Sequence, residues 1–452
     1  MVDRLLEVKL HPSKDEVHLL LEPILPHWCK APNAASQVMK QLNARKRGDL
    51  TCEVLAILRE EENFKLSPIH VGYGVNACVS SALWRQALLL FKEAPDGHNF
   101  SGALKACAKG TEWELSLHLF ASMDEASLQA NHIHYSSAIA ACEKGERWEL
   151  ALQLLQSMDH AQIIPDRVNY SAAMSACEKG SRWQLALSIF ELLPRRSLEM
   201  DVTSVNTTLS SCMKGWQWKM SLEILSYMPK AKLLPDKISY SLSIGACGKE
   251  AKWQHSLQLL ESMPEKEVIP DAICYSVAIG SCARGAEWQR ALKLFHGLPS
   301  ASFCPSIITY NEVLTCLHTA EEVKEMGYVL FKQAMWQGFY SRLLHKGARN
   351  LDVHEMSPGA AVLAVRWWLS EVLPTVLGKD LSLCRVITGW GKSRKAWRDS
   401  DVKAAVAHFL SARGFVTTSQ ELQAVRVAMT RATPVQFYGA GWLTGQSIDT
   451  SI

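Results

Sequence analysis

Residues 167–201 read RVNYSAAMSACEKGSRWQLALSIFELLPRRSLEMD, and two amphipathic helices can be traced through them. Tyr170, Met174 and Cys177 stand at i, i+4 and i+7, the apolar stripe of one helix, and Gly180 follows as a terminator able to take a positive φ. Trp183, Ala186, Leu187 and Phe190 restart the same spacing on a second helix. A hairpin of two such helices is too small to bury its own apolar face, so it requires neighbours of the same kind.

Those neighbours are written in the chain. Trp113, Trp148, Trp183, Trp218, Trp253 and Trp288 are spaced by 35 residues, with Trp84 one shortened repeat upstream. Cys107, Cys142, Cys177, Cys212, Cys247 and Cys282 keep the same period, and Cys78 keeps its distance to Trp84. Tyr135, Tyr170, Tyr240, Tyr275 and Tyr310 form a third column with Val205 in the open place. Gly110, Gly145, Gly180, Gly215 and Gly285 form a fourth, and Met123, Met158, Met228 and Met263 a fifth, completed by Leu193 and Leu298. The expected fold is mainly α: a right-handed α-solenoid with six full repeats over 97–306, partial ones over 68–96 and 307–341, and a degenerate helix pair within the N-terminal region 1–67.

Composition limits the alternatives. A chain of 452 residues with 48% hydrophobic and 21% charged residues is neither one compact core nor a disordered polymer. No run of roughly 18 uninterrupted apolar residues exists, so a membrane partner is not expected. The 13 cysteines contain no Cys-x-x-Cys pair, which removes the usual signature of a zinc ribbon or a redox motif. Equivalent cysteines in stacked repeats should lie about 10 Å apart, whereas a disulfide needs Cα atoms within about 7 Å. The column is therefore read as reduced packing residues, with no disulfide-linked partner, and the protein as a monomer without an identified cofactor. The acidic residues Asp3, Glu7, Asp15, Glu16 and Glu22 fit neither a secretory signal nor a transit peptide, which points to the cytosol or to a missing beginning.

The 35-residue hairpin, with Tyr170-Ser171, Cys177, Gly180, Ala186-Leu187 and Pro235-Asp236 in place, resembles the pentatricopeptide repeat family. Tetratricopeptide arrays repeat at about 34 residues, and six intervals without drift separate the two. The resemblance gives two polar columns a role. The residue after the Tyr column reads Ser101, Ser136, Ser171, Asn206, Ser241, Ser276 and Asn311, and the last residue of each repeat reads Asn131, Asp166, Asp201, Asp236, Asp271 and Ser306. By themselves these are good helix caps. In the family the two columns contact the edge of one RNA base per repeat, and the second residue wedges between bases; here it is His98, Ile133, Val168, Thr203, Ile238, Ile273 and Ile308. The family's approximate code implies that the repeats beginning at Gly97, His132, Arg167, Val202 and Lys237 read 5′-A-G-G-U-G-3′. Single-stranded RNA is thus the expected partner.

Near Arg349 the period stops. Leu351-Asp352-Val353-His354 reads as a short strand, Ser357-Pro358 opens a helix, Leu381–Thr388 is a buried strand ending in Gly389-Trp390-Gly391-Lys392, and Ser400 opens another helix. This βαβα order over 349–416, with Leu-Asp-Val-His and Thr-Gly-Trp-Gly-Lys in sequence, resembles the small MutS-related (Smr) domain. Together with the array it resembles the pentatricopeptide–Smr proteins of plant and algal chloroplasts and mitochondria, several of which are RNA endonucleases.

On a strand, Asp352 and His354 project to one face, where a carboxylate can orient an imidazole for proton transfer in phosphodiester cleavage. Gly389 and Gly391 would let backbone amides approach a phosphate, and Lys392 would offset its charge. Seven Lys or Arg residues between Arg385 and Arg413 against Asp399 and Asp401 make a basic patch that the net charge of +3 conceals. One carboxylate and one histidine do not define a metal site, so metal dependence is not legible. Two other readings remain: an RNA-binding protein that protects or remodels RNA without cleaving it, and a protein-interaction scaffold. The tail 417–452 carries no motif and is expected to be loosely ordered or packed on the α/β domain.

Overall fold

The computed structural model describes residues 5, 13–61, 63–81, 83–125, 128–299, 303–345, 350–377, 384–388, 401–413, 416–421 and 424–428. The chain divides into two compact units, Met1–Pro235 and Asp236–Ile452.

The first unit is a succession of helix pairs. The full repeats place their first helices at Gly97–Gly110, His132–Lys144, Arg167–Lys179 and Val202–Lys214, and their second helices at Trp113–Glu125, Trp148–His160, Trp183–Arg195 and Trp218–Tyr227. Upstream, Pro68–Ser80 and Trp84–Phe91 form the shortened repeat, and Pro32–Ala44 with Gly48–Glu60 form a pair in the region read as degenerate. Each full repeat starts its first helix on a capping side chain; Asp166 Oδ1, for example, accepts from Asn169 N at 2.9 Å. Caps of this kind contribute about 1 kcal/mol each.

The termini correct one expectation. Gly145, Gly180 and Gly215 have φ of −80°, −74° and −82°, so they do not supply the left-handed residue. That role falls one position later, on Thr111, Glu146, Ser181, Trp216, Ala251 and Ala286, with φ between 53° and 61°. Ser181 then lets Arg182 N reach back to Cys177 O at 2.8 Å, closing the helix end. The glycine column exists for a steric reason instead. A Cβ on Gly180 would lie 2.3 Å from Cδ1 of Trp148, and Gly145, Gly215 and Gly285 meet Trp113, Trp183 and Trp253 in the same way. Each of these tryptophans therefore seats on a glycine of the following repeat. Arg147 and Arg182 cover the other faces of Trp113 and Trp148 at 4.3 and 4.8 Å from the ring centroids.

The cysteine column is buried and unbonded. Burial pushes Cys107 up to about 12 and Cys142, Cys177 and Cys212 up to about 11, so these thiols stay protonated near neutral pH. One contact lies outside the column pattern: Cys52 Sγ is 3.3 Å from Cys78 Sγ.

In the second unit the repeats continue as Lys237–Lys249 with Trp253–Glu265, Ala272–Arg284 with Trp288–Gly297, and Ile307–Thr319 with Lys324–Trp336. A five-stranded sheet follows in the order β1-β2-β3-β5-β4, with β1 at Leu344–His345, β2 at Asn350–Asp352, β3 at Cys384–Ile387, β4 at Val416–Glu421 and β5 at Ala424–Ala428. β2 and β3 are parallel, joined through the helix Pro358–Trp367, and the helix Asp401–Ser411 precedes the β4–β5 hairpin. β1 and that hairpin lie outside the 349–416 span, on either side of it. Tyr310, Phe331, Leu351, Trp368 and Val406 belong to one buried cluster, so the last repeat and the sheet module share a core. Among the described residues no helix is long and apolar enough to cross a membrane.

Candidate nucleic-acid interface

The wedge column is apolar and exposed. Ile133, Val168, Ile238 and Ile273 are 46%, 59%, 51% and 63% accessible on the first turns of their helices, where burial would be expected if packing alone had selected them. Ile308 is equally open, Thr203 is exposed, and the side chain of His98 lies outside the described residues. Ile69 stands at the same place in the shortened repeat and is 59% exposed; the broken period hid it from the sequence reading.

Between Ile133 and Val168 opens a cavity of about 500 Å³, lined also by Lys105, Lys109, His132, Ser136 and Asp166. The expected reading pair, Ser136 with Asp166, thus faces a concavity bounded above and below by two wedges. Ser101, Ser171, Asn206, Ser241 and Ser276 are half-buried at the equivalent helical position. Asn311 is engaged elsewhere: its Oδ1 accepts from Tyr340 OH at 2.9 Å, and its Nδ2 donates to Glu355 O at 3.4 Å.

Every residue of the last-residue column caps the next helix. Asn131, Asp201, Asp236, Asp271 and Ser306 all accept backbone N–H groups there, and Asp96 adds an earlier member. Capping takes Oδ1 of the aspartates and leaves Oδ2 directed elsewhere. Asp201 Oδ2 lies 3.1 Å from Arg167 Nη1, Asp271 Oδ2 lies 3.8 Å from Lys237 Nζ, and Asp166 Oδ2 lies 3.2 Å from His132 Nε2, close enough for an ion pair though not aligned as a hydrogen bond. Burial raises the Asp201 carboxyl, but hydrogen bonds from the Ser204 hydroxyl and amide, helped by Arg167, outweigh it and hold the group below the ordinary carboxylate range. Asp271 is lowered likewise, against burial, by the Cys274 amide and thiol, the Ile273 amide and Lys237.

Two further columns escaped the sequence reading although both keep the period. The third residue of the repeat is polar or thiol and buried: His70, Asn99, His134, Asn169, Ser204, Ser239, Cys274 and Thr309. It fixes the register between repeats, as where His134 Nε2 meets Gly97 O at 3.0 Å and Asn169 Nδ2 donates to Ser136 Oγ at 2.9 Å. The thirteenth is cationic: Lys109, Lys144, Lys179, Lys214, Lys249 and Arg284. Lys179 pairs with Glu143 at 2.9 Å and Lys214 with Glu178 at 2.7 Å, at the carboxyl end of the preceding first helix, where cations are favoured.

In the sheet module, His354 Nδ1 lies 2.6 Å from Asp352 Oδ1, and His345 Nε2 lies 3.7 Å from the second oxygen. The pair meets in another way than expected: β2 ends at Asp352 and His354 lies in the turn after it, its backbone N–H donating to Asp352 Oδ1 at 3.2 Å, while His345 is added from β1, a strand too short to leave a hydrophobic pattern. Asp352, His354, His345 and Arg342 line a cavity of about 460 Å³. Gly389, Gly391 and Lys392, expected beside this pair, lie outside the described residues. Among the described residues no group of three or more His, Cys, Asp or Glu is placed to hold a metal ion.

Helix hairpins recurring at a 35-residue period define a helical-repeat protein. Two family models then match: that of the pentatricopeptide repeat-containing protein over residues 101–215 and that of the pentatricopeptide repeat domain over 188–250. Residues 101–250 are thus similar in sequence to pentatricopeptide repeats. Among solved structures the chain is similar in fold to the pentatricopeptide repeat protein PPR10 from maize, at 19% identity and a TM-score of 0.54, covering 84% of this chain and 53% of that one. It is also similar to PPR10 in complex with an 18-nt psaJ RNA element, at 14% identity and a TM-score of 0.61, covering 91% and 57%. The chain thus spans somewhat over half the length of these structures. No curated protein matches the chain.

Proposed function

We propose that the repeats bind single-stranded RNA, one base per repeat, and that the C-terminal module is an Smr domain brought by them to the RNA for cleavage or end processing. The observation that carries the first part is the cavity between Ile133 and Val168, where Ser136 and Asp166 offer a hydroxyl and a carboxylate to a base held between apolar wedges. Unstacked bases expose their edges only in single strands. The fold likeness to PPR10 in its RNA complex supports this reading. The cationic thirteenth column adds a source of phosphate contacts, so affinity should fall steeply as salt rises. Fluorescence anisotropy with unstructured RNA across a salt series tests it; affinity absent at low salt, or indifferent to salt, would favour a protein-interaction scaffold instead.

The 2.6 Å contact between His354 and Asp352 favours cleavage as the second activity. With Nδ1–H donating to the carboxylate, Nε2, which lies 3.5 Å from Glu355 Oε1, is the nitrogen to accept a proton from an attacking 2′-hydroxyl or water. His345, across the same carboxylate, is placed to return a proton to the leaving oxygen. A cleavage assay with wild type, Asp352→Ala and His354→Ala separates cleavage from protection: intact RNA in all three supports a non-enzymatic binder. The family resemblance supports a chloroplast or mitochondrial transcript as the target, which imaging of a tagged full-length protein would test.

A further inference from the structure

The reading cavity includes a residue that is neither a wedge nor one of the reading pair. His132, first residue of its repeat, lines the space between Ile133 and Val168, with Nε2 3.2 Å from Asp166 Oδ2. Arg167 and Lys237 stand at the same place, 3.1 and 3.8 Å from Oδ2 of Asp201 and Asp271. In each case Oδ1 is already committed to the next helix, by Asn169 N at 2.9 Å, Ser204 N at 2.8 Å, and Ile273 N and Cys274 N at 3.0 Å. The oxygen not used by the cap is the one beside the basic side chain. A basic group at the first position of a helix is locally unfavourable, because the helix dipole presents positive charge there. Its presence calls for a compensating role.

The distribution supplies one. His132, Arg167 and Lys237 occupy the three repeats that pair Ser136, Ser171 and Ser241 with Asp166, Asp201 and Asp271. The repeat with Asn206 and Asp236 begins at Val202, the one with Ser101 and Asn131 at Gly97, and the one with Ser276 and Ser306 at Ala272. We infer that the first-position basic residue determines base specificity together with the aspartate, by setting an N–H donor beside the carboxylate acceptor. This inference rests on the RNA-reading function proposed above. A guanine edge answers that arrangement: O6 accepts from the donor, while N1–H and the 2-amino group donate to the carboxylate. Adenine presents its 6-amino group where guanine has O6, so donor meets donor and the base is rejected. Val202 carries no N–H on its side chain, so on this reading its repeat lacks this filter.

The test uses the full chain and unstructured RNA carrying A-G-G-U-G, with guanine or adenine at the third base. Arg167→Met should lower the guanine-over-adenine affinity ratio there by up to about fivefold, the upper range for an exposed ion pair. Arg167→Lys should restore the ratio, and discrimination at the fourth base, read by Asn206 and Asp236, should not move. A purely structural ion pair would change overall affinity or melting temperature and leave the ratio intact, which would overturn the inference. Lys237→Met, read at the fifth base, repeats the experiment in a second sequence context should Arg167→Met fold poorly. If wild type binds RNA with no base preference at any position, the reading function itself fails, and the wild-type arm shows that before any variant is compared.

Discussion

In the repeats, Asp166 has counterparts at Asp201, Asp236 and Asp271, each closing a helix in the same way, whereas Asp352 in the sheet module has no second copy. On the proposed reading the array spreads one function over equivalent positions of successive repeats, so any one side chain would contribute a fraction of affinity. The module gathers its chemistry at one carboxylate and the imidazoles of His354 and His345. Period makes the first kind of site visible in a sequence, because each column is sampled repeatedly. The second kind depends on a motif seen once, and its geometry depends on strands that carry little pattern.

That contrast sets a scale of expected effects. The largest belongs to the module: His354→Ala should lower a cleavage rate by about 10² or more, as loss of a general base does, while RNA affinity measured on the same preparation stays within error. Cleavage at the wild-type rate would remove the pair from the mechanism. Next comes repeat packing. Trp148→Ala should destabilise the protein by about 3 kcal/mol in chemical denaturation, since a half-buried aromatic seat is lost. Gly180→Ala should cost about 2 kcal/mol despite alanine's better helix propensity, because its Cβ would overlap Trp148. If Gly180→Ala is neutral or stabilising, the glycine column is not steric.

A smaller effect of opposite sign is expected one residue later. Ser181→Gly should stabilise by about 0.5 to 1 kcal/mol, because Ser181 holds a φ of 57° that glycine adopts without strain. The smallest concerns protonation. The Asp201 carboxyl is held below its ordinary value of 3.8, so the folded state binds fewer protons than the unfolded one. Its stabilisation is fully present above that ordinary value and is lost as pH falls through the lower, folded value. Asp201→Asn keeps a good cap but lacks the charge, so it should lower stability slightly at neutral pH and converge on wild type in acid, flattening part of the acid limb of a melting-temperature profile. An unaltered acid limb would contradict the assignment.

Much of the array was legible because apolar spacing repeats: the Trp, Cys, Tyr and Met columns and both helices of each repeat follow from it. The reason for the glycine column was not, since a sequence cannot distinguish a residue needed for positive φ from one needed to admit a neighbouring ring. The buried third position escaped because His134, Asn169 and Ser204 share no residue type, only a hydrogen-bonding duty. Ile69 escaped because the shortened repeat breaks the count. In the module, the sequence spacing puts Asp352 and His354 on one strand, yet they meet because His354 lies in the turn just after β2, and His345 is brought to them by antiparallel pairing of a two-residue strand, which leaves no periodic trace.

The central claim, that short polar pairs between wedges select one base per repeat, is tested most directly by equilibrium binding of the full chain to A-G-G-U-G and its single-base permutations in a common unstructured flank at fixed salt. The account predicts tightest binding to A-G-G-U-G, a loss of about tenfold for a mismatch, and a shift from uracil toward cytosine at the fourth base in Asp236→Asn. Equal affinity for every permutation would contradict it.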